Sequence, residues 1–383
     1  MRAGRLVAVV AVGALALCGC GTGEVGHAGR EAPVAGTGGL DGIAVGSSFT
    51  TAVVATDDGV VVVDGTADTG DATGLVAHAG GATVPAPLDG PVANLGAWWT
   101  GREVVVVGLP CPGWDPATIG DRTWTLVCGS GRHVVLALDP AERTWRTVAD
   151  GVDGGPEGGL YLAAAAGERA LLRRDAFPLV VLDAASGEAT VPPGLPDERV
   201  DVACPAGDTF LVVLGDEAGA LGTVPGQALP GLGGTRAWRL VDGAWAAVEV
   251  PPTTVTVPLT TPLACADGTV LFAPALPAAA AGLPALAVDD AGATWTTFPL
   301  DGLPGPADPG RLPRLMTPGG QLVAWVPHGD DPGWDAFVRD GERWRPVGST
   351  DRADVPDAAL VAVHGDDLVF VAGDDSSGTV TAP

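Results

Sequence analysis

One pattern recurs seven times along this chain and leaves few folds open to it. An apolar run is followed by a tight polar turn bearing Gly and then by a second apolar run. The turns are Asp57-Asp58-Gly59, Thr100-Gly101-Arg102, Ala166-Gly167-Glu168, Ala206-Gly207-Asp208, Ala266-Asp267-Gly268, Pro318-Gly319-Gly320 and His364-Gly365-Asp366. Successive turns lie 40 to 66 residues apart. Each is followed by a strand-like run, such as EVVVVG from Glu103, FLVVL from Phe210 or QLVAW from Gln321. Gly supplies the backbone freedom of a two-residue hairpin turn, and Val-rich runs favour an extended backbone.

A second hairpin follows most of these and often ends on an aromatic: LALDPAERTW at Trp145, WRLVDGAW at Trp245, ALAVDDAGATW at Trp295 and AFVRDGERW at Trp344. The third unit, VVLDAASGEA, ends at Ala189 without one. Two hairpins make four strands per unit, which is the layout of a β-propeller. With 58 Gly and 34 Pro, a helical protein is excluded. The expected fold is all-β, a seven-bladed β-propeller of four-stranded antiparallel blades, with six blades as the alternative. The last unit offers three strands, Leu360–His364, Leu368–Ala372 and Thr379–Thr381. The short strand Ile43-Ala44-Val45 is expected to complete it, since closing the ring removes an exposed edge.

Two stretches resemble known propeller repeats. Asp290-Ala291-Gly292-Ala293-Thr294-Trp295 is similar to the Asp-box of sialidase-type propellers, with Val288 where that motif has Ser. AWWTGREVVVVG with LALDPAERTW resembles a Kelch blade. The resemblance implies a structural task for Asp290, Gly292, Thr294 and Trp295, bracing the blade without doing chemistry.

The start of the chain addresses a different question. Met1-Arg2-Ala3-Gly4-Arg5 is basic, Leu6 to Leu17 is apolar, and Leu17-Cys18-Gly19-Cys20 follows. That run is shorter than the ~20 residues a membrane-spanning helix needs and has the layout of a secretory signal. Gly19-Cys20 resembles the bacterial lipobox, which implies cleavage before Cys20 and lipid on its thiol. Residues 1–19 are then a lipoprotein signal peptide, 20–41 a Gly-rich tether carrying lipidated Cys20, and 42–383 the propeller. The implied location is exported, anchored by lipid at the outer face of the bacterial cytoplasmic membrane or cell surface. Net charge is −26, which disfavours nucleic acid and anionic headgroups as partners.

Four cysteines remain: Cys111, Cys128, Cys204 and Cys265. In an exported chain they are expected to form disulfides, with three pairings open. Cys111 and Cys128 flank one long loop. Cys204 and Cys265 hold matching positions before the inner-hairpin turn of neighbouring units, so that a bridge between blades would join them; two buried free thiols are the other reading.

In a propeller, second-to-third-strand loops and blade-to-blade connections share one face. The long loops here, Asp64–Gly74, Leu109–Arg122, Asp216–Gly234, Ala273–Pro284 and Pro327–Asp335, fall on it. Its candidate binding residues are Trp114, Asp115, Arg122, Arg173, Arg174, Asp175, His328, Asp330, Asp331, Trp334 and Asp335. Indole beside Asp and Arg suits a sugar or a peptide. The bland alternative for each is a self-capping loop. No catalytic residue is assigned. Sialidase chemistry needs a Tyr nucleophile and three Arg around a carboxylate; Tyr161 is the only Tyr and falls on an inner strand. No cofactor is expected; paired acids such as Asp330-Asp331 would suit Ca²⁺ but lack EF-hand spacing. The reading is a monomeric, non-catalytic binding module for a glycan, peptide or protein partner; the alternative is a propeller-type carbohydrate-active enzyme.

Overall fold

The computed structural model describes residues 51–381, apart from 69–72, 113–127, 129–130, 155–158, 175–177, 199, 215–235, 252–258, 267, 275–281, 290–291, 305–312, 318–320, 328–332, 351–359, 365–366 and 372–376. Every regular element among them is a strand. Blade 1 is β1 (Thr51–Thr56), β2 (Gly59–Asp68), β3 (Thr73–Ala79) and β4 (Ala82–Pro85). Blade 2 is β5 (Val92–Trp99), β6 (Val104–Pro110), β7 (Arg132–Asp139) and β8 (Thr144–Asp153). Blade 3 is β9 (Leu160–Ala166), β10 (Arg169–Arg174), β11 (Val180–Asp183) and β12 (Ala189–Thr190). Blade 4 is β13 (Val200–Ala206), β14 (Thr209–Leu214), β15 (Arg236–Val241) and β16 (Ala244–Val248). Blade 5 is β17 (Leu259–Ala266), β18 (Thr269–Pro274), β19 (Gly282–Asp289) and β20 (Gly292–Pro299). Blade 6 is β21 (Arg314–Met316), β22 (Val323–Pro327), β23 (Trp334–Asp340) and β24 (Arg343–Thr350). A last sheet has three strands: β25 (Leu360–His364), β26 (Asp367–Val371) and β27 (Ser377–Thr381).

Each sheet is an antiparallel meander in chain order, innermost strand first. The complete four-stranded blades number six, the alternative count, where seven were expected; the seventh sheet is three-stranded among the described residues. The expected closing strand, Ile43–Val45, lies outside those residues. The ring closes where β25 packs beside β1, and His364 Nδ1 donates to the Thr56 carbonyl at 3.0 Å.

The core is a set of seams between blades. Val61, Val63, Leu75 and Ala77 of blade 1 pack on Val104, Val106, Leu136 and Leu138 of blade 2. Val105, Val107 and Ala137 face the other way, onto Leu160, Ala170 and Leu182 of blade 3. This two-sided burial is why Val104–Val107 is apolar at every position, where a one-sided strand would alternate.

The outer-strand Trp residues serve these seams. Trp145 Nε1 in β8 donates to the Val84 carbonyl of β4 at 3.2 Å. Trp295 Nε1 in β20 donates to the Pro251 carbonyl at 2.9 Å, and its ring meets Phe272 at 5.4 Å. Trp344 packs edge-on to Phe298 of blade 5. Both disulfides form: Cys111–Cys128 within blade 2, and Cys204–Cys265 between the innermost strands of blades 4 and 5, Cα atoms 5.7 Å apart.

Candidate functional site

The two faces of the ring differ in their connections. The first-to-second and third-to-fourth strand turns are short in most blades, two residues at 57–58, 167–168, 207–208 and 242–243. The opposite face carries the intervals 111–131, 215–235 and 275–281. Cys111–Cys128 pins the first of these to the end of β6, with Cys111 fully buried.

Most of the candidate binding residues on that face, Trp114, Asp115, Arg122, Asp175, His328, Asp330 and Asp331, lie outside the described residues, as does Asp290 of the Asp-box stretch. Those that are described do not converge. Arg173 is exposed. Arg174 donates from Nε to the Asp153 carbonyl at 3.1 Å, bracketing blade 3 to blade 2. Asp335 accepts from the Ser349 hydroxyl across the β23–β24 pair at 2.5 Å. Trp334 corrects the sequence reading: it begins β23 and is 5 % exposed, in the core between blade 6 and the last sheet. The expected loop Asp64–Gly74 is also corrected. β2 continues to Asp68, with a register shift after Asp64, whose carboxylate accepts from Thr66 N and Oγ1. Self-capping by Asp let the strand bend and continue where composition suggested a loop.

The sequence reading missed the axis. Each innermost strand has a ladder partner on one side only, so alternate backbone N–H and C=O groups face the channel. Bulges re-aim side chains there. In β9 the register passes from Leu171↔Ala164 to Leu172↔Leu162, leaving Ala163 as the extra residue. In β13 it passes from Val200↔Leu214 to Val202↔Val213, leaving Asp201. Val200 belongs to the seam with blade 3 and Val202 to the seam with blade 5; exposed Asp201 belongs to neither seam. Asn94, at the β5 bulge with φ of 55°, donates to the Leu160 carbonyl at 2.9 Å and ties blade 2 to blade 3. Tyr161 is half-buried on β9, opposite Arg173.

The innermost strands line a cavity of about 460 Å³. Its wall is drawn from every blade and carries Ala55, Ala163, Ala203, Ala264 and Ala362. Thr317 and Gln321, flanking the β21–β22 connection, place it toward the short-turn face. Trp98 and Trp99, the end of β5, complete it. Among the described residues no charged side chain lines it, and no group of His, Cys, Asp and Glu is arranged to hold a metal. The run AAAA at Ala163–Ala166 and the pair WW were the available signals; both read as ordinary strand interior.

No family model and no curated protein matches the chain. Solved structures resemble it weakly. YCF48 bound to a D1 peptide aligns over 89 % of this chain and 96 % of that one, with 11 % identity and a TM-score of 0.47. A chain of a mitotic checkpoint complex aligns over 94 % of this chain and 99 % of its own length, with 12 % identity and a TM-score of 0.45. TolB from Acinetobacter baumannii covers 77 % of this chain and 63 % of itself, with 11 % identity and a TM-score of 0.35. The fold assignment rests on this chain's own strand order and seams.

Proposed function

We propose that this chain is a lipid-anchored, extracytoplasmic binding module that engages a peptide, protein or glycan through the long-loop face of its propeller. The observation that carries this reading is the Cys111–Cys128 bridge. It ties the long interval after β6, with Trp114, Asp115 and Arg122, to a buried and rigid blade. Preorganising a loop lowers the entropy lost on binding, and a segment that carries Trp, Asp and Arg suits sugars and peptides alike. Cys20 and residues 21–41 would hold the ring at the membrane.

The test uses the full chain, purified from membranes in detergent, on glycan and peptide arrays. A ligand whose binding drops at least about tenfold in both Trp114→Ala and Cys111→Ala/Cys128→Ala supports the reading. Binding indifferent to both variants refutes the face. Cys20→Ser should release the protein from the membrane fraction; retention with unchanged lipid labelling refutes the anchor.

A further inference from the structure

Arg173 and Arg174 are neighbours at the end of β10, and the pleat sends them to opposite seams. Ala170 and Leu172 pack in the seam with blade 2, and Leu171 packs in the seam with blade 4. By the same alternation Arg174 faces blade 2, where it bonds the Asp153 carbonyl, and Arg173 faces blade 4. Tyr161, paired with Arg173 across β9 and β10, lies on that same side. Arg236 comes toward them from blade 4. It precedes Ala237, which packs toward blade 5, and stands two residues from Trp238, which packs toward blade 3. All three residues lie at the long-loop ends of their strands, so they cap one seam.

The charges at this cap are not all paired. Arg236 forks onto Glu198 of the connection between blades 3 and 4, Nη1 donating to Oε1 at 2.8 Å and Nη2 to Oε2. Its guanidinium also lies over the Trp238 ring at 5.8 Å. Arg173 is exposed and has neither a hydrogen bond nor an ion pair among the described residues. In a chain of net charge −26, an arginine that faces another arginine and has no carboxylate of its own marks a place for an anion. A planar carboxylate matches the guanidinium fork. A phosphate group carries up to two charges and a polyuronate one on every sugar, so both are opposed by the field of the whole chain and by Glu198 and Asp201. A peptide brings a single terminal carboxylate. Its backbone can use what stands beside Arg173: the channel-facing edge of β9, which has a ladder partner on one side only, and Asp201, exposed at the bulge of the neighbouring innermost strand.

We propose that the long-loop end of the seam between blades 3 and 4 binds the carboxyl terminus of a peptide. Arg173 holds the terminal carboxylate, Tyr161 packs beside it, and the Asp201 carboxylate accepts from a backbone N–H of the peptide. The site rests on the long-loop face being the binding face, but it needs no residue of the interval 111–131.

The test applies the full chain in detergent micelles to two arrays of the same octapeptides, one with free C-terminal carboxylates and one with C-terminal amides. The strongest binder, measured in solution by fluorescence anisotropy, should lose about tenfold or more in affinity as its amide. Arg173→Gln should also cost about tenfold, and Arg173→Lys about threefold, because it keeps the charge without the fork. The amide should bind Arg173→Gln no worse than it binds the parent, since both changes remove the same charge pair. Arg102→Gln, on the short-turn face, should change nothing. Trp114→Ala separates this site from the wider reading. Binding that depends on Arg173 and not on Trp114 sustains the site and removes the interval 111–131 from it. Binding that depends on Trp114 and not on Arg173 overturns the site and leaves the long-loop face standing. The proposal is also overturned if no octapeptide prefers its carboxylate form, or if an oligogalacturonate binds more tightly than any peptide.

Discussion

At their outer strands blades 1 and 2 meet through a large side chain, and blades 2 and 3 meet through the lack of one. At the first seam Trp145 reaches from β8 and donates to the Val84 carbonyl of β4. At the second, β12 carries Ala189 where a Trp would stand, and the turn before it brings Gly187 against β8. A Cβ built on Gly187 would lie 2.2 Å from the Val148 carbonyl oxygen. Arg146, paired with Glu103 of its own blade, then reaches across, its Nη2 donating to the Ala184 carbonyl at 3.3 Å. Two seams of one ring are thus sealed by filling space and by abolishing the distance. The second way depends on backbone contact, so it tolerates substitution far less.

Gly187→Ala should break this contrast most severely. Its φ is +76° and the obstructing atom is a backbone oxygen that cannot rotate away. The expected loss is on the order of 3–4 kcal/mol by denaturant unfolding. Gly167→Ala, at φ +55° with nothing within 4 Å, should cost only about 1 kcal/mol. Equal losses would show that conformation alone matters at Gly187 and that the seam does not.

Trp145 should come next. Trp145→Ala removes a partly buried ring and should cost about 2 kcal/mol, less than a fully buried Trp. Trp145→Phe keeps an aromatic ring but deletes the hydrogen bond to Val84 and part of the packing, at a cost of about 1 kcal/mol. A Phe variant as unstable as the Ala variant would make the hydrogen bond the main element of that seam.

The smallest expected effect separates blade 1 from the blade 2–3 seam by pH. Burial holds His78 below 6.5, with Asp64 opposing in part. The unfolded chain therefore takes up that proton more readily, and stability should begin to fall as pH drops through 6.5. Glu103 is held low by its hydrogen bond to Arg146, and Asp183 by the Ser186 backbone N–H and hydroxyl. Their contribution is complete above the ordinary carboxylate range and is lost as pH falls below about 4 through their depressed values. Melting temperature followed against pH should show both steps. His78→Phe should remove only the upper one, and Glu103→Gln with Asp183→Asn only the lower. A single merged step unaffected by His78→Phe would refute the division.

Much of the ring was legible from local pattern. Tight Gly turns marked the hairpins, and continuous apolar runs marked the strands. Matching positions of Cys204 and Cys265 before equivalent turns pointed to the bridge between blades that the structure contains. Trp295 closes an outer hairpin and reaches the Pro251 carbonyl beside the neighbouring blade. Other residues misled for definite reasons. Trp334, written among Pro, Gly and Asp, looked like a loop aromatic. The strand begins two residues inside the expected loop, so Trp334 starts it and turns inward. Arg174, named among the loop candidates, lies at the end of β10 and ties it to β8.

By itself the sequence determined what depends on neighbours a few residues apart: strand after strand, turn after turn, and the division of one face with short turns from another with long loops. Only the tertiary structure decided where side chains point at the axis. A bulge shifts the period of two by one residue, and whether it occurs at Ala163 or Asp201 depends on how an innermost strand must bend to share a channel with the others. The seam at Gly187 was equally hidden. A glycine in a turn reads the same whether it faces solvent or the carbonyl of Val148, and that difference exists only once blade 2 stands beside blade 3.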